Sequence, residues 1–211
     1  MPDAKPTALI IDDDPDFRAS VQRLLRSVGV DAQLFASIPD FLKSDPPDGP
    51  TCLVLDVRLP GRSGLEFQRD LAAANRELSI IFITGHGDIP MSVQAMKGGA
   101  IEFLTKPFRD QDLLDAIELG FSRDRARREN EEALAALRER FGSLSPRERE
   151  IMIQVARGRL SKQIAGDIGI AEATVKVHRS RLMRKMNARS LPELGRMADK
   201  LKLVPEKPRY R

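Results

Sequence analysis

The chain has one cysteine, no tryptophan, one tyrosine and no long apolar run among its 211 residues. A lone cysteine excludes an intramolecular disulfide and a metal site built from cysteines, and Cys52 sits in an apolar run where it would fill a core. The apolar runs are no longer than a strand, and the first residues lack the apolar stretch of a signal peptide. We therefore expect a soluble, cytoplasmic protein with no membrane partner.

Charge is unevenly distributed along the chain. Residues 1–122 carry 12 Lys and Arg against 19 Asp and Glu, a net charge of −7, whereas residues 123–211 carry 23 against 12, a net charge of +11. This asymmetry indicates two domains and favours a polyanionic partner, such as nucleic acid, for the basic one.

The acidic half alternates short apolar runs with amphipathic stretches. Five strands are predicted at 8–11, 32–35, 52–55, 79–83 and 101–104, each followed by a predicted helix. Such alternation is typical of a parallel sheet covered on both sides, so we predict a doubly wound α/β domain. The first helix should bury one apolar face, formed by Phe17, Val21, Leu24, Leu25 and Val28.

Four of the predicted strands end at polar side chains, namely Asp12 with Asp13, then Asp56, Thr84 and Lys106. In open α/β sheets the carboxyl ends of the strands form one edge, and ligands bind there. Crowded carboxylates suit an all-oxygen site for Mg²⁺ (or Mn²⁺). Asp56 could then act as a nucleophile toward a phosphoryl group, with Lys106 and Thr84 holding the other phosphoryl oxygens.

These residues lie in motifs that resemble the receiver domain of bacterial two-component response regulators. The motifs are Asp12-Asp13, Leu55-Asp-Val-Arg-Leu-Pro-Gly61, Thr84-Gly-His-Gly87 and Lys106-Pro-Phe108. The resemblance implies a flavodoxin-like fold in which Asp56 accepts phosphate from a sensor histidine kinase. It also implies that Asp13, Asp56 and the main-chain carbonyl of Arg58 bind the metal, with Asp12 assisting through water.

The same resemblance implies that Thr84 and Phe103 move on phosphorylation, and that the face from about residue 90 to residue 103 becomes a dimer interface. His86 is interpreted as a loop residue beside Thr84 rather than a relay base. The receiver would catalyse only its own phosphorylation and slow dephosphorylation, so we do not expect an enzyme in the usual sense.

The basic half begins with an alternating charge run at 123–142, which we predict to extend the preceding helix as a solvated linker. Ser145 then precedes Pro146 and Glu148, the pattern of a capping box at a helix start. Helices are predicted at about 146–157, 161–168 and 172–186. A tight Gly169-containing turn separates the last two, which is the helix-turn-helix arrangement.

The third of these helices is basic and amphipathic. Its inward face should contain Val175, His178, Leu182 and Met186. Lys176, Val177 and Ser180 are predicted to reach base edges in the major groove, Arg179 and Arg181 to contact bases or phosphates, and Thr174 and Lys185 to contact the DNA backbone.

The motifs Leu144-Ser-Pro-Arg-Glu-Arg-Glu150, Lys162-Gln-Ile-Ala165 and Thr174-Val-Lys-Val-His-Arg179 resemble the four-helix LuxR/NarL-type DNA-binding domain. Together with Thr84-Gly-His-Gly-Asp-Ile-Pro-Met91 and Ala95-Met-Lys-Gly-Gly-Ala100, they make the whole chain similar to the nitrogen-fixation J (FixJ) subfamily.

We predict a receiver at 1–122, a linker at 123–142, the DNA-binding domain at 143–204 and a tail at 205–211. The expected partners are a sensor kinase, promoter DNA, RNA polymerase and a second copy of the chain.

Two alternatives stay open at this point. The run Asp12-Asp-Asp14 after a strand resembles an aspartate-nucleophile phosphatase, although that class gives no role to the basic half. A regulator that binds DNA independently of phosphate is the other. Stable labelling of Asp56 separates a regulator from a phosphatase, and equal promoter affinity of the wild type and Asp56→Asn would indicate phosphate-independent binding.

Overall fold

The computed structural model describes residues 4–85 and 87–203. His86 and the predicted tail 205–211 lie outside the described residues. The chain divides into two compact units, Met1–Arg128 and Glu129–Arg211, and each is described by itself.

The first unit is built on a five-stranded parallel sheet in the order β2-β1-β3-β4-β5. The strands are β1 Thr7–Ile11, β2 Asp31–Phe35, β3 Thr51–Asp56, β4 Ile80–Thr84 and β5 Glu102–Thr105. The helices are α1 Pro15–Ser27, α2 Ile38–Lys43, α3 Gly64–Ala73, α4 Ile89–Lys97 and α5 Asp110–Gly142. The prediction of a doubly wound α/β domain is confirmed.

Each face of the sheet carries its own apolar core, because successive strand residues point to opposite sides. Ile10, Val54 and Ile83 belong to one core, which includes apolar residues of α1 and α5. The neighbouring residues Ile11 and Leu55 belong to the other, which includes residues of α2, α3 and α4. All residues of β3 are buried, so this strand lies at the centre of both cores.

The prediction that Val28 belongs to the buried face of the first helix is wrong. Val28 follows the last residue of α1 and is 51% exposed. Its amide donates to the carbonyl of Leu25 at the helix C-cap, and Gly29 continues the turn with φ +77°. Val28 fits the helical spacing of the apolar residues, but the helix ends at Ser27. Gly29, in the left-handed region, then turns the chain away from the core.

Helix α5 continues from the receiver-like sheet through the charged run, but the run is not solvated throughout. Asp124 is buried, and its carboxylate accepts hydrogen bonds from the Thr51 amide at 2.8 Å and from Arg127 and Arg128. Leu137 is also buried, within the core of the second unit. The interpretation of residues 123–142 as a solvated linker is therefore corrected at these two side chains.

Among its residues up to 203, the second unit contains four further helices, α6 Pro146–Ala156, α7 Ser161–Ile168, α8 Glu172–Met186 and α9 Leu191–Lys200. Ser145 caps α6 through the predicted capping box with Glu148, and Gly169 ends α7 with φ +68°. Helix α6 packs against α8 and α9, and α7 packs against α8. The predicted all-helical domain is confirmed. Across the described part of the chain, no helix combines the length and apolar character needed to cross a membrane.

Candidate functional site

The carboxyl edge of the sheet collects the predicted site residues. Asp12 directly follows β1, Asp56 ends β3, Thr84 ends β4, and Lys106 directly follows β5. Because these four strands are parallel neighbours, their ends meet at one edge. The register aligns Asp56 with Ile83, one residue before Thr84.

A charge cluster forms where β1, β3 and β5 end. The Lys106 ammonium lies 2.7 Å from Oδ2 of Asp12 and 3.4 Å from Oδ2 of Asp56. Asp12 is 2% exposed and Asp56 is 9% exposed, so both carboxylates are largely removed from water. One cation is therefore shared by two buried acids whose mutual repulsion it offsets.

Local hydrogen bonds orient the carboxylate of Asp56. Its Oδ1 accepts from the Arg58 amide at 2.9 Å, which leaves Oδ2 facing Lys106. Burial raises the pKa of the Asp56 carboxyl, while the Arg58 amide and the Lys106 ammonium act in the opposite direction. A carboxylate whose charged form is disfavoured by its surroundings gains from any additional cation placed beside it.

Three carboxylates at this edge fit the donor set of a hard divalent cation. Ligand oxygens of Asp12, Asp13 and Asp56 all lie within 4.8 Å of one another. Asp13 is exposed whereas the other two are buried, so a metal here would remain open to solvent on one side. Such a site suits Mg²⁺, which binds few protein carboxylates and keeps several waters.

The two predicted switch residues lie close to this edge. Thr84 is buried, and its carbonyl accepts a hydrogen bond from the Lys106 amide at 2.8 Å. Phe103 is half-buried, with its ring centroid 6.4 Å from that of Phe82. A Cβ placed on Gly87 would come within 2.9 Å of the Phe103 ring and 3.1 Å of the Thr84 side chain. Gly87 therefore lies tightly against both residues.

Sequence reasoning missed three residues that support the cluster. Asp14 caps α1 by accepting from the amides of Asp16 and Phe17, and the Asp-Pro step was a usable signal for this role. Arg18 donates to the carbonyl of Asp12 at 2.6 Å, and the Phe17 ring contacts Lys106. No local pattern identifies those two contacts, because each depends on how α1 lies over the strand ends.

Helix α8 has the two faces predicted for it. Val175, Leu182 and Met186 are fully buried in the core of the second unit. His178 is half-buried, and among the described residues its Nδ1 is buried with no hydrogen-bond partner, which agrees with a packing role. The opposite face exposes Thr174, Lys176, Val177, Ser180 and Arg181.

Three basic residues predicted to contact DNA have partners within the second unit. Lys176 lies 2.8 Å from Glu172, and Arg179 donates to the hydroxyl of Ser161. Lys185 lies 2.7 Å from Glu148, whose side chain is 4% exposed. Arg179 and Lys185 therefore connect α8 to α7 and to the start of α6, in addition to any role they have toward DNA.

The fold and these two surfaces are those of a receiver domain joined to a helix-turn-helix domain. The family model described as "Response regulator receiver domain" matches residues 8–118, and that described as "Bacterial regulatory proteins, luxR family" matches residues 142–198. Nodulation protein W of Bradyrhizobium diazoefficiens is 52% identical over 197 residues, covering 93% of this chain and 87% of the relative.

Two solved structures extend the likeness to three dimensions. The response regulator StyR superposes with a TM-score of 0.80 at 49% identity, covering 93% of this chain and all of that one. Full-length FixJ from B. japonicum gives a TM-score of 0.55 at 37% identity, covering 95% and 98%.

The chain belongs to the response regulators that carry a receiver domain and a luxR-type helix-turn-helix domain. Its resemblance to the FixJ subfamily is confirmed by relatives named FixJ, of which that of Azorhizobium caulinodans is 41% identical over 198 residues. Such proteins regulate transcription under the control of phosphorylation and are not classical enzymes. The phosphatase alternative is therefore set aside.

Proposed function

We propose that Asp56 accepts a phosphoryl group from a phosphohistidine of a sensor histidine kinase. An oxygen of Asp56 attacks phosphorus, the P–N bond to the imidazole breaks, and an acyl phosphate forms. The observation that carries this proposal is the Lys106 ammonium shared between the buried carboxylates of Asp12 and Asp56 at the carboxyl edge of the sheet. A fixed cation beside the nucleophile stabilises negative charge that develops on the transferring group.

The ligands of a bound Mg²⁺ (or Mn²⁺) would be Asp13, Asp56 and the main-chain carbonyl of Arg58, with Asp12 assisting through water. When bound, the ion would neutralise part of the negative charge that the phosphoryl group and the carboxylates share at this edge. The clustering of the three carboxylates within 4.8 Å supports this assignment. The Thr84 hydroxyl and the Lys106 ammonium would hold the remaining phosphoryl oxygens. The same groups account for self-phosphorylation from small donors and for slow dephosphorylation.

Phosphate on Asp56 adds negative charge to an acidic edge, and Thr84 and Phe103 respond by moving toward it. The face formed by α4 and β5 then becomes a homodimer interface. Its support is an apolar stripe on α4 at helical spacing, with Ile89 80% exposed and Val93 and Met96 about half exposed. Exposed apolar side chains that recur on one helix face are typical of a protein-binding surface.

The dimer would bind paired promoter half-sites through α8 of each copy, because one helix-turn-helix domain offers little contact area. The proposed DNA contacts are Thr174, Lys176, Val177, Arg179, Ser180, Arg181 and Lys185. The exposed basic face of α8 and the net charge of +11 on residues 123–211 support them. RNA polymerase is the proposed further partner, and the cytoplasm the proposed location.

We propose that the chain consists of a receiver at 1–122, a linker at 123–142, a DNA-binding domain at 143–204 and a tail at 205–211. The receiver core and the four-helix core on either side of the charged run support it. Near the ends of the proposed linker, Asp124 is bonded to the start of β3 and Leu137 belongs to the core of the second unit.

The decisive experiment treats the full chain with acetyl phosphate and Mg²⁺ and follows its intact mass. A single added phosphoryl group that is absent in Asp56→Asn is expected, together with a rise in dimer content and in promoter affinity. A mass shift that persists in Asp56→Asn would overturn the assignment of the acceptor. Equal promoter affinity of both proteins under phosphorylating conditions would instead favour phosphate-independent DNA binding.

A further inference from the structure

Phe17 lies in the first turn of α1, next to the charge cluster but outside the set of polar residues that carry the proposed chemistry. The Lys106 ammonium lies 3.7 Å from the centroid of the Phe17 ring. This is well inside the roughly 6 Å within which a cation is attracted to the face of an aromatic ring.

The ring of Phe17 is itself held in position. Its amide donates to the Oδ1 of the helix cap Asp14, which anchors the first turn of α1. The ring meets the Phe108 ring in a T-shaped arrangement, at a centroid distance of 6.2 Å and an interplanar angle of 82°. The Phe17 side chain also packs against the core that contains Ile10, Val54 and Ile83. The ring therefore presents a supported surface to Lys106 rather than a freely rotating one.

The ring differs from the other two partners of Lys106 in one respect. Asp56 would carry the phosphoryl group, and Asp12 would assist the metal, so both carboxylates acquire new partners during the proposed reaction. Phe17 has no role in that exchange, and its contact with the ammonium can persist throughout. A lysine side chain has four rotatable bonds, and a contact that persists keeps its charge directed at the reacting group.

We propose that Phe17 is a positioning residue for phosphoryl transfer, whose ring holds the Lys106 ammonium beside Asp56 while the carboxylates change partners. This inference rests on the proposed function of Asp56. Phe17 acts through Lys106 and need not touch the phosphoryl group itself.

The test compares rates of mass increase of the full chain with acetyl phosphate and Mg²⁺. Phe17→Met keeps an apolar side chain of similar size without a ring, and Phe17→Tyr keeps the ring. The matched control is Phe41→Met, which removes another half-buried phenyl ring that packs edge-to-face against Phe35 and Phe67, away from Lys106. We expect Phe17→Met to lower the phosphorylation rate by about 2- to 30-fold, the range that corresponds to cation–π energies. Phe17→Tyr and Phe41→Met should both retain the wild-type rate.

A double-mutant cycle with Lys106→Ala separates positioning from packing. In the Lys106→Ala background, Phe17→Met should have no further effect on the rate, because the cation that the ring holds is gone. An equal loss in both backgrounds, or wild-type rates in Phe17→Met, would overturn the role of Phe17. If Phe17→Met does not fold, Phe17→Leu takes its place in the same cycle. Failure of the wild type itself to gain phosphate on Asp56 would count against the proposed function and is therefore distinguishable.

Discussion

The carboxylate of Asp124 on α5 accepts a hydrogen bond from the amide of Thr51 at the start of the central strand, at 2.8 Å and across 73 residues of sequence. Arg127 and Arg128 bind the same carboxylate, and Arg128 also donates to the carbonyls of Pro47 and Asp48. The charged run after the receiver is therefore attached to the loop before β3 through one buried acid.

Replacing Asp124 by Asn should destabilise the receiver by about 3 kcal/mol at neutral pH, because it leaves two arginines without the buried charge that they surround. Burial acts to raise the pKa of Asp124, but hydrogen bonds from Arg127, the Thr51 amide and Arg128 together hold it below its ordinary value. A lowered pKa in the folded state contributes stability above the unfolded pKa of about 4, which is lost as the pH falls through the folded value. The difference between wild type and Asp124→Asn should accordingly shrink below pH 4.

Urea unfolding of both proteins between pH 2.5 and 7, followed by circular dichroism, measures this difference. Asp115→Asn, which removes an exposed acid from the same helix, serves as the control and should cost little at any pH. A gap between wild type and Asp124→Asn that stays constant down to the lowest pH would contradict the charged role of Asp124.

Gly120→Ala should destabilise the receiver although alanine favours helices. A Cβ at this position of α5 would come 2.4 Å from Sγ of the buried Cys52. The overlap should cost about 1 to 3 kcal/mol, more than the helix propensity that alanine adds. Calorimetry should show a lower receiver transition, and Cys52→Ala should recover part of the loss in the double variant.

The matched control for that substitution is Gly166→Ala in α7, where a Cβ would meet nothing within 4 Å. Alanine there should raise the stability of the DNA-binding domain by up to about 1 kcal/mol. If Gly120→Ala is as stabilising as Gly166→Ala, then the close approach of α5 to β3 is not what requires glycine.

Adding Mg²⁺ should stabilise the wild-type receiver against heat, because an ion that binds only the folded state contributes about 2.7 kcal/mol at 100 times its dissociation constant. Asp13→Asn should lose most of this gain, since it removes one of the three clustered carboxylates. Asp16→Asn changes a nearby exposed acid outside the cluster and should retain it. Melting curves with Mg²⁺ and with EDTA measure the effect, and an equal shift in all three proteins would indicate non-specific binding.

Lys185 and Lys176 should differ in how their loss weakens DNA binding. Lys185→Met leaves the buried Glu148 without its cation and should lower the stability of the DNA-binding domain by about 1 to 3 kcal/mol. Lys176→Met breaks only an exposed pair with Glu172 and should lower promoter affinity with almost no change in melting temperature. Melting curves and binding isotherms over a salt series distinguish them. Unchanged stability in Lys185→Met would reduce its role to DNA contact alone.

Local sequence was sufficient for the five strands and for several helix ends. Apolar runs identified all five strands, and Ser145 with Glu148 marked the start of α6 because a capping box is decided within four residues. Gly169 marked the end of α7, because it adopts a left-handed backbone conformation that few other residues tolerate. Polar residues at strand ends also predicted the acidic edge, because parallel strands direct their carboxyl ends to one side.

The partners of those residues were decided only in the tertiary structure. Lys106 meets Asp12 across 94 residues, Arg179 meets Ser161 across a turn between two helices, and Phe17 in the first turn of α1 meets Lys106 directly after β5. Val28 lies at the helical spacing of the apolar face of α1, but it is exposed because the helix ends at Ser27. Periodicity and capping act over a few residues and can be read along the chain, whereas contacts between distant segments depend on strand order, register and helix packing.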